Sequence, residues 1–151
     1  DDVRRIQEVS FAYEMAAARY AMKRGDREGM IREIGQYIEE YKNSQGVIES
    51  CSCIRNIKAV FYKNSDNEML IDSMESLNGL DQVLHSLFSM PREKGGSGEF
   101  YHTGISYFET IYKAIQNDDF ASVCDGLEGH QLWARKYIVK NLETVKEQQG
   151  K

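Results

Sequence analysis

The chain has 151 residues, 41% of them hydrophobic and 28% charged, with a mean hydropathy of -0.57. That length most often makes one domain with room for a hydrophobic core, and the composition argues against both a disordered chain and an integral membrane protein. A net charge of -5, from 19 Lys and Arg against 24 Asp and Glu, has the wrong sign for a surface that neutralises a phosphate backbone, so DNA binding by this chain itself is not expected.

No apolar run approaches the roughly 20 residues of a spanning helix. The opening Asp1-Asp2-Val3-Arg4-Arg5 is not followed by an apolar signal region, so the expectation is a cytoplasmic protein with no membrane partner. Three cysteines, Cys51, Cys53 and Cys124, make an odd count better suited to reduced thiols than to a disulfide framework.

Apolar residues recur at helical spacing through most of the chain, and Pro91 is the single proline, so the fold class is all-α. The first helix places Ile6, Val9, Tyr13, Ala16, Ala17 and Tyr20 on one face and stops at Gly25, with Lys23 and Arg24 suiting the dipole of its last turn. Asp26 then caps a second helix carrying Met30, Ile31, Ile34, Ile38 and Tyr41, which ends at Asn43-Ser44-Gln45-Gly46. A third helix runs from about Val47 to Tyr62 and buries Ile54, Ile57 and Phe61, with Cys51 and Cys53 as small core residues. The turn Asn64-Ser65-Asp66-Asn67 opens a long fourth helix with Met69, Leu70, Met74, Leu77, Leu80, Leu84 and Phe88 facing inward.

Ser89 to Gly98, with Pro91, Gly95, Gly96 and Gly98, is the one linker-like stretch, a native glycine-rich loop or an inserted spacer. The roughly 50 residues after it supply two helices, too little for an independent core, so residues 1–151 are read as one domain. The fifth helix carries Tyr101, Ile105, Phe108, Ile111, Tyr112 and Ile115; after Asn117-Asp118-Asp119, the sixth carries Val123, Leu127, His130, Ala134, Tyr137 and Ile138. Short connections between such helices make a six- to seven-helix antiparallel bundle.

Few local motifs carry chemistry. Cys51 and Cys53 point about 200° apart on a helix and lack a second pair to complete a zinc site. The glycines at 95 to 98 follow no strand and match no phosphate-binding pattern. No nucleophile elbow or catalytic cysteine signature is present, so no catalytic residue and no enzyme activity are expected. His85 and His102 carry no functional argument. Two residues do stand on inner faces where their chemistry is out of place, Lys58 between Ile54 and Phe61, and His130 between Leu127 and Ala134. An ammonium there must reach outward along its stem, lose its charge or find an anionic partner.

The run Glu8-Val9-Ser10-Phe11-Ala12-Tyr13-Glu14-Met15-Ala16-Ala17-Ala18-Arg19-Tyr20-Ala21 resembles the opening helix of the FCD domain, the effector-binding C-terminal half of FadR-type regulators in the GntR transcription-factor family. There the pattern runs E-x-R-x-x-L-E-x-x-A-A-x-x-A; Glu14 and the alanines fit, and Ser10 stands where an arginine is usual. Phe61 to Leu70 resembles the family's apolar pair followed by A-S-G-N-x-x-L, and Ala114-Ile115-Gln116-Asn117-Asp118-Asp119 resembles its A-I-x-x-G-D turn. The resemblance covers nearly the whole chain.

It implies a ligand-sensing and dimerisation domain of a bacterial regulator, a homodimer that meets operator DNA only through an N-terminal winged helix-turn-helix domain absent from this chain. Most members hold a divalent metal with an Asp, a His four residues later, and one His from each of the last two helices. Those positions here are Ile54, Lys58, Phe108 and His130, so only His130 remains as a metal ligand and no metal cofactor is expected. Metal-free relatives take organic ligands directly, in one instance an acyl-CoA. Lys58 in place of a ligand histidine suggests an organic or anionic effector, with Ser10, Lys58, Tyr62, Tyr101, Phe108, His130 and Trp133 as the expected effector-binding residues. Tyr13, Tyr107 and Tyr112 extend that aromatic lining. The other reading is a helical dimerisation or protein-interaction module with no ligand, its pocket packed shut by Ile54 and Phe108.

Overall fold

The structure, a computed structural model, describes residues 2–88 and 97–149, with side chains described at all of these except 78, 81, 82, 85, 97–102 and 149. Six helices and no strand occur among the described residues, and the fold is an all-α bundle. They are α1 (Asp2–Arg24), α2 (Arg27–Asn43), α3 (Val47–Asn64), α4 (Glu68–Phe88), α5 (Ser97–Gln116) and α6 (Phe120–Gln149). The linker-like residues 89–96 lie outside the described residues, as do the side chains of His85, Tyr101 and His102.

Local chemistry sets the helix ends. Asp26 caps α2, accepting from the Gly29 N–H at 3.0 Å, and Asp119 accepts from the Ser122 N–H at 3.1 Å at the start of α6. Arg24, in the last turn of α1, donates to the carbonyls of Ser65 at 2.7 Å and Asp66 at 2.9 Å, which ties the first inter-helix turn to the third. Asp66 (φ 48°) and Asp118 (φ 57°) are the two non-glycine residues in the left-handed region among the described residues, one in each of two tight turns.

The helices pack in a closed ring, α1 on α3, α3 on α2, α2 on α5, α5 on α6 and α6 back on α1, while α4 lies against α1 and α6. Within the ring sits the main core, where Met30, Ile34, Ile57, Phe61, Phe108, Ile111, Ile115, Val123 and Leu127 are fully or almost fully buried. A smaller cluster of Cys51, Leu84, Phe88, Trp133, Ala134 and Ile138 lies where α4 meets α6. Gly129 lets α6 approach α5 closely, since a Cβ there would stand 2.7 Å from the Tyr107 ring.

Two inward faces differ from expectation. The buried stripe of α1 is Gln7, Ser10, Glu14, Ala17, Ala18 and Ala21, while Val9 is 46% and Tyr20 37% exposed. On α4, Met69 (79%) and Leu80 (45%) face solvent, because α4 covers the outside of the ring and buries only part of its circumference.

The left-handed turns give a direct test. Asp66→Gly is expected to match or exceed wild-type stability in urea unfolding, whereas Asp66→Val is expected to lose about 1–2 kcal/mol, because a β-branched side chain clashes in that region.

Candidate functional site

Helix α1 is two helices in character. Its second half is alanine-rich and packs Ala17, Ala18 and Ala21 into the main core, while its first half turns Gln7, Ser10 and Glu14 inward at 6–8% exposure. Buried polar groups are costly unless they find partners. Lys58 on α3 donates from Nζ to Glu14 Oε1 at 2.7 Å, with the two side chains 21% and 9% exposed. Gln7 is held by α6: Arg135 Nε donates to its Oε1 at 3.0 Å, and Gln131 Nε2 donates to its backbone carbonyl at 2.7 Å.

This polar stripe borders a cleft at the seam between the two apolar clusters, with a volume of about 110 Å³. From α1 come Gln7, Ser10, Phe11 and Glu14, and from α3 come Cys51, Ile54, Arg55 and Lys58. Helix α4 adds Met74, Leu84 and Phe88, and α6 adds His130, Gln131, Ala134 and Ile138. Its walls are mainly apolar, with a few convergent polar groups, the common character of a small-molecule site. On the scale where a cavity of about 150 Å³ holds benzene, the cleft offers room for a small organic group.

His130 forms part of the floor. It is 5% exposed, its ring 4.7 Å from that of Phe108, 5.6 Å from Trp133 and 6.2 Å from Tyr107. Burial holds its pKa well below the usual imidazole value, and the nearby Lys58 charge pushes the same way, so the ring is neutral. Its Nε2 is buried and has no hydrogen-bond partner among the described residues.

Of the residues expected to bind an effector, Ser10, Lys58 and His130 come together in the cleft. Phe108 and Trp133 do not line it; they sit behind His130 as ring contacts, and Phe108 is fully buried. Tyr62 is buried in the main core, and the side chain of Tyr101 lies outside the described residues. The expected tyrosine lining is corrected in the same way: Tyr13 and Tyr112 pack against the main core and Tyr107 against the smaller cluster, leaving Phe11 and Phe88 as the aromatic walls of the cleft. Sequence reasoning missed Gln7, Glu14 and Arg55 as site residues. Glu14 had a signal, as an acid one turn ahead of Ala17 and Ala18 on the same helix face.

The four positions that hold metal in the resembling family converge, with Ile54, Lys58 and His130 on the cleft and Phe108 against His130. Their chemistry does not fit a metal. Ile54 and Phe108 offer no donor atom, the Lys58 ammonium is itself a cation paired with Glu14, and no cluster of three or more His, Cys, Asp or Glu suited to a metal occurs among the described residues. No protein-family model matches the sequence, and comparison with curated proteins gives no match.

The buried imidazole makes stability depend on pH. Its folded pKa is depressed, so below the ordinary value of 6.5 the unfolded chain binds the extra proton first, and acid favours unfolding. The penalty grows by up to about 1.4 kcal/mol per pH unit until the folded pKa is reached, and is absent well above pH 6.5. Thermal unfolding between about pH 8 and about pH 5.5 should therefore show a steeper loss for wild type than for His130→Leu, and parallel curves would contradict a buried neutral histidine.

Proposed function

We propose that this chain is the ligand-sensing and dimerisation domain of a bacterial GntR-type transcriptional regulator, of the FCD kind, whose organic effector is held by side chains alone with no metal. The observation that carries this reading is the meeting of Ser10, Lys58 and His130, from three helices, in one cleft with an unpartnered buried nitrogen in its lining. A packed-shut interaction module would instead have a closed core with Lys58 pointing outward and no cleft beside His130.

The turns add support. The family pattern has glycine at the third position of A-S-G-N and the fifth of A-I-x-x-G-D, and these positions fall on Asp66 and Asp118, the two residues with positive φ. A backbone that calls for glycine at both places agrees with the resemblance independently of side-chain identity.

In this reading the effector acts by binding one arrangement of a homodimer more tightly than another, which alters how two separate winged helix-turn-helix domains span an operator in the cytoplasm. Operator DNA is a partner of those domains alone. In this reading the dimer contact uses Leu132 and Val139, two exposed apolar side chains two helical turns apart on α6.

Two measurements test the proposal. Small organic acids and amino acids, acyl-CoAs and divalent metals are compared by thermal shift on wild type, Lys58→Ala and His130→Ala. A ligand at a hundredfold excess over its Kd adds about 2.7 kcal/mol of stability. A small organic compound should stabilise wild type and neither variant; stabilisation by metal alone, or by nothing, would refute the reading. Light scattering should give twice the 17.4 kDa chain mass, and Leu132→Lys combined with Val139→Lys should return it to that of one chain.

A further inference from the structure

The cleft holds more hydrogen-bonding capacity than its own residues use, and the unused capacity is divided by sign. Glu14 engages Lys58 through Oε1, which leaves Oε2 as an acceptor in a side chain that is 9% exposed. One helical turn away on the same face, the Ser10 hydroxyl lines the same cleft. The unpartnered Nε2 of His130 is the third member of this group. Because burial keeps that ring neutral, Nε2 accepts a hydrogen bond when the ring proton is on Nδ1. On the opposite side, Lys58 gives one of its three N–H donors to Glu14, and Arg55, one turn before it on α3, is an exposed lining residue with no hydrogen-bond or ion-pair partner among the described residues.

Three acceptors match the three N–H donors of one ammonium group, and two cationic side chains nearer to solvent match a carboxylate. A simple carboxylate would leave Glu14 Oε2 and His130 Nε2 desolvated without a donor, and a simple amine would leave the two cations unmatched, each of which costs affinity. Size agrees as well. A cleft of about 110 Å³ suits an amino acid with a short apolar side chain, and Lys58 and Arg55 both line it where a carboxylate needs partners.

We propose that the cleft selects a zwitterion, a small aliphatic α-amino acid whose ammonium is held by Glu14, Ser10 and His130 and whose carboxylate is held by Lys58 and Arg55. The apolar side chain then lies against Ile54, Leu84 and Phe88. This inference rests on the effector-binding reading above and specifies its ligand class.

Titration calorimetry at neutral pH with L-alanine, L-valine, L-leucine and L-methionine tests it, alongside 3-methylbutanoate, which is valine without its ammonium, and 2-methylpropylamine, which is valine without its carboxylate. At least one amino acid should bind, and for valine the affinity should exceed that of both truncated analogues by tenfold or more. Glu14→Gln should lower amino-acid affinity at least tenfold and leave that for 3-methylbutanoate within a factor of about two. The analogue comparison uses wild-type protein alone, so it holds even where Glu14→Gln is too unstable to study. Equal or tighter binding of 3-methylbutanoate overturns the zwitterion and leaves the sensing domain standing. If no amino acid binds while another small organic compound does in the thermal-shift comparison, the zwitterion again falls alone; if nothing binds in either experiment, both readings fall.

Discussion

The contact on which the arrangement turns is the ion pair between Glu14 and Lys58. A carboxylate that is 9% exposed is costly to keep in a bundle interior without a partner, and Lys58 supplies one from a partly exposed position. Meeting that requirement fixes the rotation of α1 about its axis. With Glu14 turned to α3, Gln7 two turns earlier reaches Arg135 and Gln131 on α6, and Ala17, Ala18 and Ala21 on the same stripe fall into the main core. One polar contact thus orients a helix whose intrinsic apolar preference points elsewhere.

That preference explains where sequence reading succeeds and where it stops. Helix ends were legible because they depend on local chemistry: Gly25-Asp26, Asn43 to Gly46, Asn64 to Asn67 and Asn117 to Asp119 all lie at observed boundaries. The inward face of α1 was not. The expected stripe, Ile6, Val9, Tyr13, Ala16, Ala17 and Tyr20, has the same spacing as the observed one displaced by a single residue, a rotation of about 100°. Hydrophobicity alone favours Val9 and Tyr13 over Ser10 and Glu14. The groups that reverse the preference are Lys58 and Arg135, 44 residues from Glu14 and 128 from Gln7, and no local pattern connects them.

The site was legible to the extent that its chemistry was anomalous. Lys58 and His130 stand out as polar residues on apolar stripes, and both line the cleft. Tyr62, Phe108 and Trp133 were drawn in because large aromatics suit ligands, but the same bulk makes them core fillers, and here Phe108 and Trp133 pack around the imidazole. Arg55 carried no signal, since an exposed arginine on a helix is ordinary until a cleft opens beside it.

The two walls of the cleft differ in how they are made. Behind His130, the rings of Tyr107, Phe108 and Trp133 pack on α5 and α6, and Gly129 lets those helices approach closely enough that the Tyr107 ring occupies the place of a side chain. Opposite stands the Glu14–Lys58 pair, in which Lys58 is a partly exposed side chain on a flexible four-carbon stem. In the proposed reading, a molecule that bonds to both members of that pair would act on the contact between α1 and α3. Helix α1 also carries Val9 and Tyr20 on its solvent face, so the helix that holds Glu14 on one side presents apolar groups on the other. Each tenfold preference of such a ligand for one setting of α1 shifts the balance by about 1.4 kcal/mol, comparable to one hydrogen bond gained or lost at the pair.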